Sequence, residues 1–371
     1  MTNSRVVINA TNPWRPNAGD GESALYVSDL ENAALTYEKK HELNIGGAIG
    51  FFDNRINVEV DWYKRNNYDL IGPVTTQGIG GQVTKFGNVA SMSSSGIELT
   101  LSTRNIDTKN FKWTTDFIYS HATNKVTSLE NQQRVIDLVA GTGFALEGYP
   151  VRSVFSIPFK GLNEQGLPTF LDQNGNVTTT GIYFQERDNI DFLEYSGTAD
   201  PTDFGSFGNT FQWKGFKLNV FFTYSFGNVV RMDPVFSKSY SDLDAMPKEF
   251  INRWVVPGDE KVTDIPVISS RMQNYNDGNL AYAYNAYNYS SARIAKGDFI
   301  RLKEVSLSYD FPKKWVKAMK MNSLSLKVQG TNLALLYADK KLNGQDPEFF
   351  NTGGVATPLP KQFTVTLRLG L

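Results

Sequence analysis

The chain has 371 residues, 37 basic against 38 acidic, no cysteine, and histidine only at His41 and His121. That balance leaves no basic excess for nucleic-acid phosphates. The absent thiols exclude disulfide staples, thiolate zinc sites and cysteine nucleophiles. With 17 Tyr, 25 Phe, 6 Trp and 31 Gly the composition is that of strands and turns. No run of about 18 apolar residues marks a transmembrane helix, and a mean hydropathy of -0.34 is compatible with barrel strands, whose alternation keeps the average low.

Period-two alternation predicts about nine strands. The first runs from His41 to Phe52. The second is Ile56 to Ile71, with Ile56, Val58, Val60 and Trp62 on one face and Asn57, Glu59, Asp61 and Tyr63 on the other. The third is Gly96 to Arg104, where Ile97, Leu99 and Leu101 oppose Glu98, Thr100 and Ser102. The fourth spans Phe111 to about Leu129, the fifth Asp203 to Trp213 and the sixth Phe216 to Val230. The seventh, Phe299 to Phe311, sets Val305, Leu307, Tyr309 and Phe311 against Glu304, Ser306, Ser308 and Asp310. The eighth, Ser323 to Leu336, sets Leu324, Leu326 and Val328 against Ser325, Lys327 and Gln329. The last strand closes the chain with Phe363, Val365, Leu367, Leu369 and Leu371 on one face and Thr364, Thr366, Arg368 and Gly370 on the other. Ser4 to Ala10 reads as the top of a preceding strand, a tenth.

Short connections (Asp53 to Arg55, Asn105 to Asn110, Lys214-Gly215, Pro312 to Asn322) alternate with long ones (Gly72 to Ser95, Glu130 to Thr202, Arg231 to Asp298, Tyr337 to Lys361). Outer-membrane barrels segregate loop length this way, with short periplasmic turns and long extracellular loops. A soluble sandwich has no reason to. The fold expected is therefore all-β, an antiparallel transmembrane β-barrel. Its apolar rows, including Val305, Leu307, Leu324, Leu326, Val365, Leu367 and Leu369, face lipid. Its polar rows, including Glu98, Glu304, Asp310, Lys327 and Arg368, face a wide wet or plugged lumen. Residues 1–40 lie mostly outside the cell, residues 41–371 form the barrel part, and the C-terminus is periplasmic. An open sheet in lipid leaves unpaired backbone groups, so further strands complete the ring. The N-terminus lacks the apolar core of a signal peptide, and the chain reads as the C-terminal part of something longer.

Several motifs carry a family resemblance. Asn57-Val-Glu-Val-Asp-Trp-Tyr-Lys-Arg-Asn-Asn-Tyr-Asp-Leu-Ile71 places a tyrosine and a basic residue before Asp-Leu-Ile. Gly87-Asn-Val-Ala90 is followed by Ser95-Gly-Ile-Glu-Leu99. Arg253-Trp254 precedes Pro257-Gly-Asp-Glu260 and Thr263-Asp-Ile-Pro266. Asp298 to Tyr309, Gly330-Thr-Asn-Leu333 and Asp346-Pro-Glu348 follow in order. Together, over most of residues 30–371, they resemble the C-terminal third of a SusC/RagA-type TonB-dependent transporter of the Bacteroidota outer membrane. The resemblance implies nine or ten strands of a barrel of about 22 and an N-terminal plug and TonB box, neither present here. It also implies a SusD-like surface lipoprotein as a lid, the TonB complex as energy source, and import of a glycan or peptide. It implies no enzyme activity and no cofactor. The family usually ends in Phe, where this chain has Leu371.

Individual candidates for chemistry are weak. Asp346 and Glu348 are carboxylates spaced for glycoside hydrolysis, but a proline-fixed turn whose carboxylates cap backbone donors explains them better. Asp172 to Asn176 resembles part of a calcium loop without its bidentate Glu. Tyr282, Tyr284, Tyr287 and Tyr289 offer aromatic faces for sugar stacking or lid contact, with packing inside a folded loop as the competing use. Lys248 to Trp254 has the spacing of a short loop helix on the barrel mouth. Trp62, Tyr63 and Tyr68 suit an interfacial aromatic girdle. His41 and His121 have no partner of matching type. A soluble secreted carbohydrate-binding or hydrolytic all-β protein is the alternative from another class.

Overall fold

The computed structural model describes residues 7–11, 24–29, 31–32, 34–75, 77–78, 84–130, 132–141, 143–241, 243–244, 246–350 and 360–370. Nine strands form one antiparallel sheet in strict chain order: β1 (Lys39–Phe51), β2 (Ile56–Thr75), β3 (Thr84–Asp107), β4 (Phe111–Leu129), β5 (Asp203–Trp213), β6 (Phe216–Phe226), β7 (Phe299–Asp310), β8 (Ser323–Ala338) and β9 (Gln362–Gly370). Each strand pairs with its sequence neighbours, so β1 and β9 have free edges among the described residues. The sheet is a partial barrel. Val7–Thr11 pairs instead with Ala24–Asp29 as a separate two-stranded sheet. The remainder of the Ser4 to Ala10 reading, and Leu371, lie outside the described residues.

Register is set by the alternation. Ile106, Trp113, Phe211, Leu218, Leu307, Val328 and Val365 fall opposite one another on β3 through β9, making one apolar row. Trp213, Phe216, Tyr309, Leu326 and Leu367 form the next. A one-residue slip would exchange the two faces wholesale. Between β5 and β6 the turn is Lys214-Gly215, both at positive φ (46° and 93°), the two-residue geometry that matches strand twist. Glycine suits its second position, since a Cβ there would sit 2.9 Å from the Asp310 carbonyl.

Two sequence expectations need correction. β2 and β3 run on well past Ile71 and begin well before Gly96, because bulges between Asn67 and Leu70 and between Ser91 and Met92 interrupt the alternation without ending the pairing. Asp69 takes the left-handed conformation (φ 56°) at the first bulge. Loop length therefore does not alternate without exception. The connection 76–83 is shorter than 311–322, which holds a helix, Lys313–Ala318. The sixth strand stops at Phe226, where Gly227 turns the chain (φ 86°). Val229–Arg231 then pairs with Ile294–Lys296 above the main sheet.

The apolar core lies outside the sheet. Val135, Val139, Ile157, Leu167, Phe170, Phe236, Phe250, Leu280, Tyr284 and Tyr287 are buried together between the connections 130–202 and 227–298. A barrel sheet has no second layer to bury its outer face against. The long connections, which meet water, must pack on themselves to offset their ordering entropy.

Candidate functional site

The polar rows of β6 through β9 line one concavity. Lys217, Asn219, Glu304, Asp310, Lys327 and Arg368 border a cavity of about 480 Å³. Asp310, Ser325 and Arg368 stand in one register line, and Lys327 Nζ lies 3.8 Å from Glu304 Oε1. Glu98 stands opposite Asp61 and Ser120 on the same face, several strands away. The structure thus puts all five acidic and basic candidates on the concave face.

Val305, Leu307, Leu324, Leu326, Val365, Leu367 and Leu369 occupy the other face, paired with one another or with Val220 and Leu218. Leu307 is 45% exposed and Val365 69%, values a protein tolerates in contiguous rows only where something apolar covers them. Tyr63 is a correction. It shares the concave face with Asp61, lies over Gly96, whose added Cβ would come within 2.6 Å of it, and carries Arg65 stacked 4.2 Å above its ring. Trp62 and Tyr68 are on the outer face, Tyr68 edge-on to His41 at 5.4 Å. His121 Nδ1 donates to Asp203 Oδ1 at 2.9 Å, and the Tyr119 hydroxyl donates to the same oxygen at 2.6 Å.

The tyrosine segment folds as a helix, Leu280–Asn288. Its spacing turns Leu280, Ala283, Tyr284 and Tyr287 into the loop core and Tyr282 outward. Tyr284 donates to the Val267 carbonyl at 2.5 Å, and burial pushes its hydroxyl up to about 12. Tyr287 packs edge-on against Phe236 and Phe159. Tyr284 and Tyr287 take the competing use, packing inside the folded loop, and the Tyr287 ring also borders a cavity beside Arg293. Tyr289 is half-buried beneath the Arg231 guanidinium at 5.9 Å. Arg231 bonds the Phe155 carbonyl and the Ser156 hydroxyl, and burial holds it down at about 10.

A cavity of about 520 Å³ opens between the second long loop and the last one, bordered by Glu249, Arg253, Asp259, Asp264, Arg293 and Lys341. Its back wall is the ion pair of Arg293 with Glu249, 3% and 16% exposed, with the guanidinium over the Phe236 ring at 4.8 Å. Lys248–Asn252 forms the expected short helix, of 3-10 type. The Pro257 to Pro266 motif closes on itself. Asp259 accepts from the amides of Val255 and Val256, and Glu260 from the Trp254 indole at 3.0 Å and the Gly258 amide at 2.7 Å. Those bonds, the indole first, hold the Glu260 carboxyl below its ordinary range. The Trp254 ring lies on Gly166, so the motif staples the two long loops together.

Asp346 and Glu348 take the structural use. Both clamp Arg301 of β7, Asp346 through a buried ion pair and Glu348 at 3.0 Å to Nε. Arg301 was not legible as a partner, since it lies 45 residues away. Asp172 forms a plain turn, accepting from the amides of Asn174 and Asn176, between the strands of a small hairpin (Pro168–Leu171, Val177–Thr178). Among the described residues no group of acidic or histidine side chains is placed to hold a metal ion.

No family model matches the chain. It is 25% identical over 343 residues to a TonB-dependent receptor of Formosa agariphila, covering 88% of this chain and 32% of that protein. It is also 25% identical over 358 residues to the TonB-dependent receptor SusC of Bacteroides thetaiotaomicron, covering 92% and 32%. The chain is a relative of the TonB-dependent receptors. It spans about a third of the length of the curated relatives it matches. In fold it matches a chain of the RagAB peptide transporter over its whole length, with a TM-score of 0.75 at 24% identity, covering 39% of that chain. The RagAB peptide importer in an open-open state matches with a TM-score of 0.74 at 21% identity. The sheet accordingly has the fold of the barrel sheet in that RagAB chain.

Proposed function

We propose that this chain supplies barrel strands and extracellular loops to an outer-membrane importer of oligosaccharide or peptide. In this reading it works with a SusD-like surface lipoprotein and draws on the proton-motive force through TonB, and it is not an enzyme. The observation that carries the proposal is the two-faced sheet: apolar rows on one face, charged rows on the concave face, and, among the described residues, free edges at β1 and β9. Unpaired edge groups cost several kcal/mol each in lipid, so further strands close the ring. Glu98, Glu304, Asp310, Lys327 and Arg368 then face the lumen and its plug. Val305, Leu307, Leu324, Leu326, Val365, Leu367 and Leu369 face acyl chains. The packed loops 130–202 and 227–298 form the outer vestibule, and of the four loop tyrosines Tyr282 is the one free to meet substrate or lid.

Two experiments test this. The protein carrying this chain should fractionate with the outer membrane and need detergent; a monodisperse, detergent-free preparation would overturn the reading in favour of a secreted soluble protein. Whole-cell uptake of a panel of oligosaccharides and peptides, with and without the gene, should show loss of one class in the deletion strain.

A further inference from the structure

Register on the apolar face places two lysines, unpaired among the described residues, just above the apolar band. On β2, Lys64 follows Trp62 by one step on the same face and stands opposite Leu43 and Ser95. On β4, Lys125 stands opposite Ser93, which pairs in turn with Asn66. His41 pairs with Asn66 and shares that line. Both lysines are exposed. Strand spacing of about 4.8 Å and a rise of about 3.3 Å per residue put their Cα atoms about 12 Å apart on one surface.

Three of the acidic groups in this region are already engaged. Asp203 accepts from Tyr119, His121 and Thr202. Asp69 holds Lys39 at 2.7 Å. Glu42 lies on the concave face with Arg65. The row below is Ile45, Trp62 and Ile97, all exposed and apolar. An indole at the edge of the band with flexible ammonium groups one step farther out is the arrangement that meets a lipid's headgroup level.

We propose that Lys64 and Lys125 form a docking site for the phosphorylated headgroup of a membrane lipid on the outer face of β2 to β4. Charge complementarity and continuity with the apolar band select the occupant: the acyl chains cover Ile45, Trp62 and Ile97 while the phosphates meet the two ammonium groups. The inference rests on the membrane-spanning reading above.

The test uses the intact receptor purified in mild detergent, with micelles doped with diphosphorylated lipid A or its dephosphorylated form. The phosphorylated lipid should raise the thermal midpoint and be retained through washing. The K64Q/K125Q protein should bind it about twenty-five-fold more weakly, at about five-fold per lysine, with an unchanged midpoint in plain detergent. Substituting Lys217, on the concave face, should leave retention as in the wild type. Equal retention by wild type and double variant, no preference for the phosphorylated form, or an equal midpoint rise from inorganic phosphate alone would each overturn the proposal. A receptor that stays monodisperse without detergent sinks the membrane reading instead, so the two failures are distinguishable.

Discussion

Arg301 and Asp346 form an ion pair with 4% and 5% of their side chains exposed, tying β7 to the loop that leads into β9. Glu348 completes the clamp from the partly exposed side, and Leu342 and Phe350 of the same loop pack on Val230 and Met232. Loss of one partner strands a buried charge, which costs far more than the pair itself contributes. The Asp346→Ala variant should lose about 3 kcal/mol and open the last loop to protease, read by thermal unfolding and limited proteolysis in detergent. Glu348→Gln, at a partly exposed position, should cost less than about 1 kcal/mol.

Gly96 and Tyr63 give a second prediction. An added Cβ at Gly96 would meet the Tyr63 ring at 2.6 Å and the His121 carbonyl at 2.7 Å. Gly96→Ala should therefore destabilise by about 1–3 kcal/mol through overpacking. Gly47, with open space around its Cβ direction, should accept alanine within about 0.5 kcal/mol. Unfolding midpoints of the two variants decide this.

The two faces of β7 should respond oppositely to charge. Leu307→Arg places a guanidinium in the apolar row and should cost about 2–4 kcal/mol, lowering the amount of folded protein in the outer membrane. Ser308→Arg, one residue on and beside the concave cavity, should leave that amount unchanged. Equal loss from both would refute the assignment of faces.

Burial of the loop tyrosines predicts an alkaline limit for the packed loops. Tyr284 has its hydroxyl raised from 10.0 to about 12, and burial raises Tyr287 as well. Above pH 10 the unfolded loop releases its protons while the folded loop keeps them, so stability falls as pH rises from 10 to about 12. Near-ultraviolet circular dichroism should show the loops loosening in that window. Tyr284→Phe should narrow the effect, while costing about 1–2 kcal/mol at neutral pH because the Val267 carbonyl loses its donor.

Much of the sheet was legible because one apolar and one polar face impose a period of two on every strand. β4 and β5 were read with their bounds, and β9 within a residue. Legibility failed where pairing continued through a bulge, as at Asp69, and where residue type was followed against the alternation, as in grouping Tyr63 with the girdle. It failed again at the tyrosine helix, whose alternating Tyr and Ala suggest nothing about burial until the surrounding loops close over them.

Local alternation thus determined the strands, their faces and their order, since each strand's amphipathicity is written in consecutive residues. Only the tertiary structure decided which tyrosines are core, that Arg301 meets Asp346, and that the long connections hold one shared hydrophobic interior. Those are relationships between segments tens of residues apart, and no short-range pattern records them, because loop packing selects partners by shape and charge at a distance along the chain.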